Sequence, residues 1–221
     1  MKKYFSIFIV VLCVFFGKAQ NQFAQKISNA ALSLTKDRVS YDPAYFNIKY
    51  PNGDVPSDKG VCTDVVIRAY RKLGIDLQKE VHEDMAKNFS KYPKKWGLKK
   101  PDTNIDHRRV PNLRVFFAKF GKSKPIETKP ELYVPGDIVT WDLPGNLTHI
   151  GIVVNRKSAD GKRYLIVHNI GGGQVLEDCL FKFTITGHYN IRNNGEKCNL
   201  LFDFYVDGFC ISSKKRTENH R

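Results

Sequence analysis

The sequence predicts one α+β domain, in which a helical first half packs against an antiparallel β-sheet formed by the second half. Its 221 residues, of which 42% are hydrophobic and 26% are charged, suit one compact domain with a buried core. Helical patterns come first along the chain and short β-branched segments follow. This order, rather than a regular alternation of strand and helix, favours the α+β class.

The helices are predicted from apolar spacing and from residues that end helices. Val65, Val66 and Ala69 recur at helical spacing, and Gly74 is a natural stop for that helix. Pro111 suits the first turn of a later helix. The predicted helices cover residues 22–35, the segment from Cys62 to Leu73, residues 79–90 and residues 112–120.

The strands are predicted from short runs rich in β-branched and aromatic residues. Asp160 and Gly161 form a turn signal between two of these runs, which predicts a hairpin. The predicted strands cover residues 137–142, 150–155, 164–169 and 183–189. Residues 193–221 carry no clear pattern and are treated as a C-terminal extension.

The first nineteen residues have the pattern of a secretory signal peptide. Lys2 and Lys3 precede an almost wholly apolar run from Tyr4 to Gly17, and Ala19 supplies a small residue near its end. This run is shorter than the roughly 20 residues that a membrane span needs. We therefore expect an exported, periplasmic or secreted protein without stable membrane insertion, whose globular domain covers residues 20–192.

The chain is strongly basic, with a formal net charge of +14. An exported basic protein meets anionic polymers of the cell envelope rather than nucleic acid, so we expect peptidoglycan or a related polymer as its partner. A role of the charge in solubility alone is the alternative. No cofactor is expected, and the protein is expected to be a monomer.

Export also permits disulfides among the cysteines outside the signal segment. If Cys62 is catalytic it must stay free, and Cys198 with Cys210 is then the preferred bridge. Cys179 is left without an assigned partner.

Cys62 is the candidate nucleophile, because it opens a predicted helix. The unpaired N–H groups and the positive end of the helix dipole favour a thiolate there, which predicts a lowered pKa. The alternatives are a small buried hydrophobic residue or a disulfide partner.

His149 is the candidate base, because it stands at the entry of a predicted strand. It could accept the thiol proton and later protonate the leaving group, provided that a polar residue orients its ring. His168 and Asn169 both end the next strand. The hairpin register decides between them, since a shift of one residue changes the face, and the turn is too long to fix that register.

These residues carry a resemblance to known proteins. A cysteine at a helix start, a GDIV segment followed by HIGIV, and a polar residue at the next strand end resemble NlpC-type and CHAP-type cell-wall hydrolases, which are rearranged relatives of papain. More closely, YDPAY, YPNGDVP, GVCTDVVIRAYRKLGIDLQ, DTNIDHRRVPNL, PGDIV and VHNIG resemble the YijF-like bacterial family of unknown function.

The resemblance implies a papain-like domain with Cys62 as nucleophile, His149 as base and His168 as orienting residue. It also implies a tyrosine beside the thiol, for which Tyr50 is preferred over Tyr41 and Tyr45. NlpC-type enzymes usually read Asp-Cys-Ser-Gly, whereas this chain reads Val-Cys-Thr-Asp at residues 61–64, which leaves the scissile bond open.

Further polar residues are predicted to bind the oxyanion or the substrate, namely Asp64, His107, Arg108 and Arg109, together with Tyr50. Arg108 and Arg109 could clamp a substrate carboxylate, although a structural ion-pair network explains them equally well. The spacing of Asp and His residues around them matches no dedicated metal pattern, so no metal is expected.

The predicted activity is therefore amide hydrolysis through a Cys62 thioester, with peptidoglycan stem peptides or a related envelope amide as substrate. One alternative is a catalytically silent module that binds cell-wall peptides. Another is a secreted thiol acyltransferase or toxin that uses the same residues.

Overall fold

The computed structural model describes residues 22–190. The predicted signal segment, the C-terminal extension and the proposed Cys198–Cys210 bridge lie outside these residues. Within them, no helix is both long and apolar enough to cross a membrane.

The helices lie mainly in the first half of the described chain, as the sequence predicts. Helix α1 covers residues 22–34. The next two are α2 (Cys62–Arg71) and α3 (Leu77–Asn88), and α4 (Val110–Phe120) carries a proline in its first turn. Beyond α2, Gly74 adopts φ +80°, which a glycine reaches at little cost.

A six-stranded antiparallel sheet forms the second half, in the order β3-β8-β4-β5-β6-β7. Its strands are β3 (Lys122–Ser123), β4 (Ile138–Leu143), β5 (Leu147–Lys157), β6 (Tyr164–His168), β7 (Val175–Glu177) and β8 (Thr184–Asn190). A separate parallel pair joins β1 (Ser40–Tyr41) to β2 (Lys59–Gly60). The short strands β1, β2, β3 and β7 carry too few residues for an alternating pattern, so the sequence did not predict them.

Each face of the sheet has its own apolar cluster. The helices cover one face, where Val65 and Val66 of α2 pack with Ile150 and Ile152 of β5. The other face holds a smaller cluster that includes Trp141 of β4, Val153 of β5 and Ile166 of β6. Residues that alternate along β5 therefore belong to different clusters, as the pleat of a strand requires.

The loop before α2 is fixed to the helix by Arg68. Its guanidinium donates to Asp54 Oδ2 at 3.1 Å and to the carbonyl oxygen of Lys59 at 2.8 Å. Because Lys59 begins β2, these bonds tie the strand to the helix that follows it. They fix the chain entering Cys62.

Candidate active site

Cys62 lies at the first residue of α2, with its sulfur packed against β5. The backbone N–H groups of Ile150, Thr63 and Cys62 itself lie near the sulfur and favour its thiolate form. The side chain is buried, and only 6% of the residue surface is exposed. Burial raises the pKa of Cys62 to about 12, and the three N–H groups only partly oppose it. The lowered pKa expected from the helix terminus is therefore not found, because desolvation outweighs the helix dipole.

Asp64 and Arg108 form a buried ion pair that holds the first turn of α2. Arg108 Nε and Nη2 donate to the two carboxylate oxygens of Asp64 at 3.0 and 3.1 Å. Asp64 Oδ2 also accepts from the backbone N–H of Val61 at 2.7 Å, and the Thr63 hydroxyl donates to the Arg108 carbonyl. Arg108 further donates to the carbonyl oxygens of Asp42 and Ala44. The sequence left two roles open for Arg108, a structural ion-pair network and a clamp for a substrate carboxylate. These contacts favour the structural network.

His149 is buried on the face of β5 that carries the smaller cluster. Its ring lies 5.7 Å from the ring of Trp141, which is its partner residue on β4. Burial lowers the pKa of His149 to about 3, and the neighbouring His168 lowers it further in the same direction. The imidazole is therefore neutral at ordinary pH and able to accept a proton.

The hairpin register brings His168, not Asn169, to the ring of His149. Ile152 pairs with Val167 and Val153 pairs with Ile166, so His168 falls on the same face as His149. His149 Nε2 lies 2.9 Å from His168 Nδ1. Asn169 points to the other face.

Two further residues make this arrangement possible. Gly151 lies beside His168, and a Cβ atom there would come within 2.6 Å of Ile166 Cγ2 and 3.2 Å of His168 Cβ. The absence of a side chain at residue 151 thus lets β5 and β6 approach. Asn169 Nδ2 donates to the carbonyl oxygen of Gly60 at 3.2 Å, which ties the end of β6 to the strand before Cys62.

Cys62 and His149 do not contact each other directly, because the backbone of β5 lies between them. Cys62 packs in the same cluster as Ile150, whereas His149 lies on the opposite face with Trp141. Among the described residues no hydrogen bond joins the Cys62 sulfur to the His149 ring. The residue that follows His149, Ile150, has its backbone N–H near the sulfur.

Tyr41 is the tyrosine near the thiol. The charges that act on its hydroxyl belong to Cys62, Asp64 and Arg108, although burial is the largest cause of its raised pKa. Tyr50, the tyrosine preferred from the family resemblance, lies elsewhere, with its ring centroid 5.2 Å from that of His82. Tyr45 donates its hydroxyl to Asp102.

The remaining predicted residues, His107 and Arg109, lie in or beside the short 3₁₀ segment Asp106–Arg108. His107 is buried, and desolvation lowers its pKa to about 3. Its Nδ1 has no hydrogen-bond partner. Arg109 places its guanidinium 4.1 Å from the ring centroid of Trp96. The described contacts tie neither of them to the Cys62 sulfur.

Two residues that the sequence did not single out for the site, Glu177 and Cys179, lie against His168. Glu177 Oε2 is 3.1 Å and Cys179 Sγ is 3.5 Å from His168 Nε2. Burial raises the pKa of Cys179 to about 12. Glu177 lies on β7, whose three residues give no pattern, so its position depends on a strand pairing that was not predictable.

His168, Glu177 and Cys179 also offer one potential metal-ligand atom each, all within 4.8 Å of one another. However, the Lys182 ammonium already binds the other oxygen of Glu177 at 2.9 Å. A cation at this position would meet that positive charge at close range. We therefore assign no metal to these residues.

Open surface grooves lie away from the thiol. One groove of about 700 Å³ is lined by residues at the far end of α2, including Arg68, Arg71 and Lys72, and does not include Cys62. Another, of about 580 Å³, is lined by residues 142–144 and 181–184.

The comparison with known families concerns nearly the whole described domain. Residues 28–191 match the family model described as "Domain of unknown function (DUF1287)". The chain belongs to this family. A relative in the family is the uncharacterized protein YijF of Escherichia coli (strain K12), which is 52% identical over 163 residues. That alignment covers 74% of this chain and 79% of YijF. The resemblance to the YijF-like family is thus confirmed.

Among solved structures, the DUF1287 chain is similar to NlpC1 from Trichomonas vaginalis. The identity is 13% and the TM-score is 0.40. The similarity covers 76% of this chain and spans 44% of the length of NlpC1.

Proposed function

We propose that this DUF1287 protein is an exported cysteine hydrolase of papain-like fold that cleaves an amide bond. The observation that carries the proposal is the position of the Cys62 sulfur, which lies at a helix N-terminus and near the backbone N–H of Ile150, the residue that follows His149. The hydrogen bond between His149 and His168 supplies the proposed base and the residue that orients it.

In the proposed reaction, His149 accepts the Cys62 proton as the sulfur attacks the substrate carbonyl carbon. Because His149 Nε2 is bonded to His168, its Nδ1 is the nitrogen that remains for the thiol. Because the two side chains lie on opposite faces of β5, proton transfer requires the backbone at the start of β5 to rearrange when substrate binds, so that the imidazole and the sulfur come within hydrogen-bond distance. The backbone N–H of Cys62 and the hydroxyl of Tyr41 are the proposed oxyanion donors.

The remaining steps return the enzyme to its starting state. The tetrahedral intermediate collapses, the C–N bond breaks and His149 gives its proton to the leaving amine. The acyl group is left as a thioester on Cys62. Water then attacks the thioester carbon and loses a proton to His149, which passes a proton to the sulfur as the carboxylic acid leaves.

The proposed substrate class is peptidoglycan stem peptide or a related amide of the cell envelope. It is supported by the signal-like first segment and by the net charge of +14, which attracts anionic envelope polymers. The protein would act as a monomer in the periplasm or outside the cell.

A second candidate is a module of the same fold that binds cell-wall peptides without cleaving them. It is favoured by the buried thiol of Cys62, whose raised pKa keeps it protonated, and by the lack of direct contact with His149.

The test compares the full chain with Cys62→Ala and with Cys179→Ala on purified peptidoglycan fragments, with products identified by mass spectrometry. Cys179 is a matched control because it is also a free, buried cysteine. We expect cleavage by the parent and by Cys179→Ala, and none by Cys62→Ala. Undiminished cleavage by Cys62→Ala would refute the mechanism, and cleavage lost only in Cys179→Ala would move the nucleophile to that residue. Fragment binding without any product would identify the binding module.

A further inference from the structure

The polar groups behind His149 continue beyond the orienting residue. His168 is fully buried at the end of β6 and uses both ring nitrogens, Nδ1 toward His149 at 2.9 Å and Nε2 toward Glu177 at 3.1 Å. The two imidazoles and the carboxylate therefore form a continuous hydrogen-bonded series. Its far end is half-buried at Glu177, on the edge strand β7.

We propose that Glu177 is a positioning residue that fixes the tautomers of both histidines and thereby keeps His149 Nδ1 unprotonated. The inference deepens the proposed function and rests on it, since it concerns the readiness of the proposed base. A carboxylate only accepts hydrogen bonds, so the hydrogen of His168 must lie on Nε2. His168 Nδ1 is then an acceptor, which places the hydrogen of His149 on Nε2 and leaves Nδ1 with its lone pair.

Cys179 competes with Glu177 for the same nitrogen. If the Cys179 thiol donated to His168 Nε2, the hydrogen of His168 would move to Nδ1. His168 would then donate to His149 Nε2, and His149 would carry its own hydrogen on Nδ1. In that arrangement His149 could not accept a proton from Cys62.

The surroundings favour Glu177 in this competition. Lys182 Nζ binds Glu177 Oε1 at 2.9 Å, and this bond, with the neighbouring His168, lowers the pKa of Glu177. The group is therefore a carboxylate, and hydrogen bonds to ionised acceptors are roughly twice as strong as neutral ones. The Cys179 thiol stays neutral because of its burial, and a thiol is a weak donor.

The direct test is the tautomer state of the two histidines, read from long-range ¹H–¹⁵N correlation spectra of the full chain in buffer treated with a chelator. In the parent protein we expect both rings to carry hydrogen on Nε2. Glu177→Gln keeps the size of the side chain but can donate as well as accept, so part of the His149 population should move its hydrogen to Nδ1. Cys179→Ala removes the competing contact and should keep the parental tautomers. Identical spectra for the parent and Glu177→Gln would overturn the proposal.

A second readout follows the proposed reaction. The rate of Cys62-dependent peptidoglycan cleavage, measured by mass spectrometry of the products, should fall at least about tenfold in Glu177→Gln and by much less in Cys179→Ala. Circular dichroism confirms that each variant is folded.

The two proposals fail in distinguishable ways. If the tautomers shift as expected but no variant or parent cleaves peptidoglycan, the role of Glu177 stands and the hydrolase does not. If Cys62-dependent cleavage is found but Glu177→Gln leaves the tautomers and the cleavage rate unchanged, the hydrolase stands and the role of Glu177 is refuted.

Discussion

Burial keeps Cys62 and His149 in their uncharged forms. It raises the pKa of the thiol to about 12 and lowers the pKa of the imidazole to about 3. At rest, Cys62 and His149 are therefore a neutral thiol and a neutral imidazole, not a thiolate and an imidazolium. Proton transfer must accompany attack on the substrate, and His149 acts as a general base rather than as the partner of a stored thiolate.

This resting state predicts an unusual acid limit for the proposed hydrolysis. Because the pKa of His149 is lowered to about 3, the neutral base persists well below its ordinary value of 6.5. We expect kcat/KM on peptidoglycan fragments to stay level from pH 7 down to roughly pH 5, and to fall only as the pH approaches the lowered pKa. Circular dichroism at each pH separates this limit from unfolding. An acid limb centred near pH 6.5 would contradict the neutral, desolvated base.

At the scale of elements, the first turn of α2 depends on a buried ion pair. Asp64 lies two residues after Cys62, in the same first turn, and both of its oxygens are bound by Arg108. Arg108→Met would leave the Asp64 charge buried and unpaired, and should lower the free energy of unfolding by about 3–5 kcal/mol. Chemical denaturation measures this loss.

The matched control is Asp178→Asn, which removes an exposed ion pair with Arg163. Solvent screens such a pair, so its loss should be far smaller than that of Arg108→Met. If both variants lose the same free energy of unfolding, the Asp64–Arg108 pair stabilises the helix terminus no more than an exposed ion pair does.

The longer elements could be predicted because their patterns span several turns or several strand residues. Helix α2 shows helical apolar spacing, and Asp160-Gly161 marks the hairpin between β5 and β6. The choice between His168 and Asn169 was not predictable, because it depends on a hairpin register that a long turn leaves free. The structure fixes that register through close packing at Gly151.

At the scale of the whole molecule, the parts of the site that escaped prediction come from distant strand pairing. Tyr41 lies near the thiol because the parallel pairing of β1 with β2 places it opposite Gly60, two residues before Cys62. Glu177 reaches His168 because β7 pairs with β6. These strands have two or three residues, and such pairings are set by tertiary contacts rather than by local pattern.

The folded domain also holds titratable groups whose burial should make stability depend on pH. His107 is buried with an unpartnered Nδ1, and its pKa is lowered from 6.5 to about 3. Below pH 6.5 the unfolded chain takes up a proton at this residue while the folded protein does not. The stability associated with neutral His107 is thus present above pH 6.5 and is lost as the pH falls toward the lowered value.

His107→Gln should reduce this pH dependence, because glutamine does not titrate. We expect the free energy of unfolding of the parent, minus that of the variant, to fall by roughly 2 kcal/mol between pH 7 and pH 5. Urea denaturation of both proteins at the two pH values measures the difference, and contributions from the other titratable groups cancel in it. Parallel losses in parent and variant would mean that His107 is already protonated in the folded state, or is solvated there. Either result would contradict the assignment of His107 as a buried, neutral histidine.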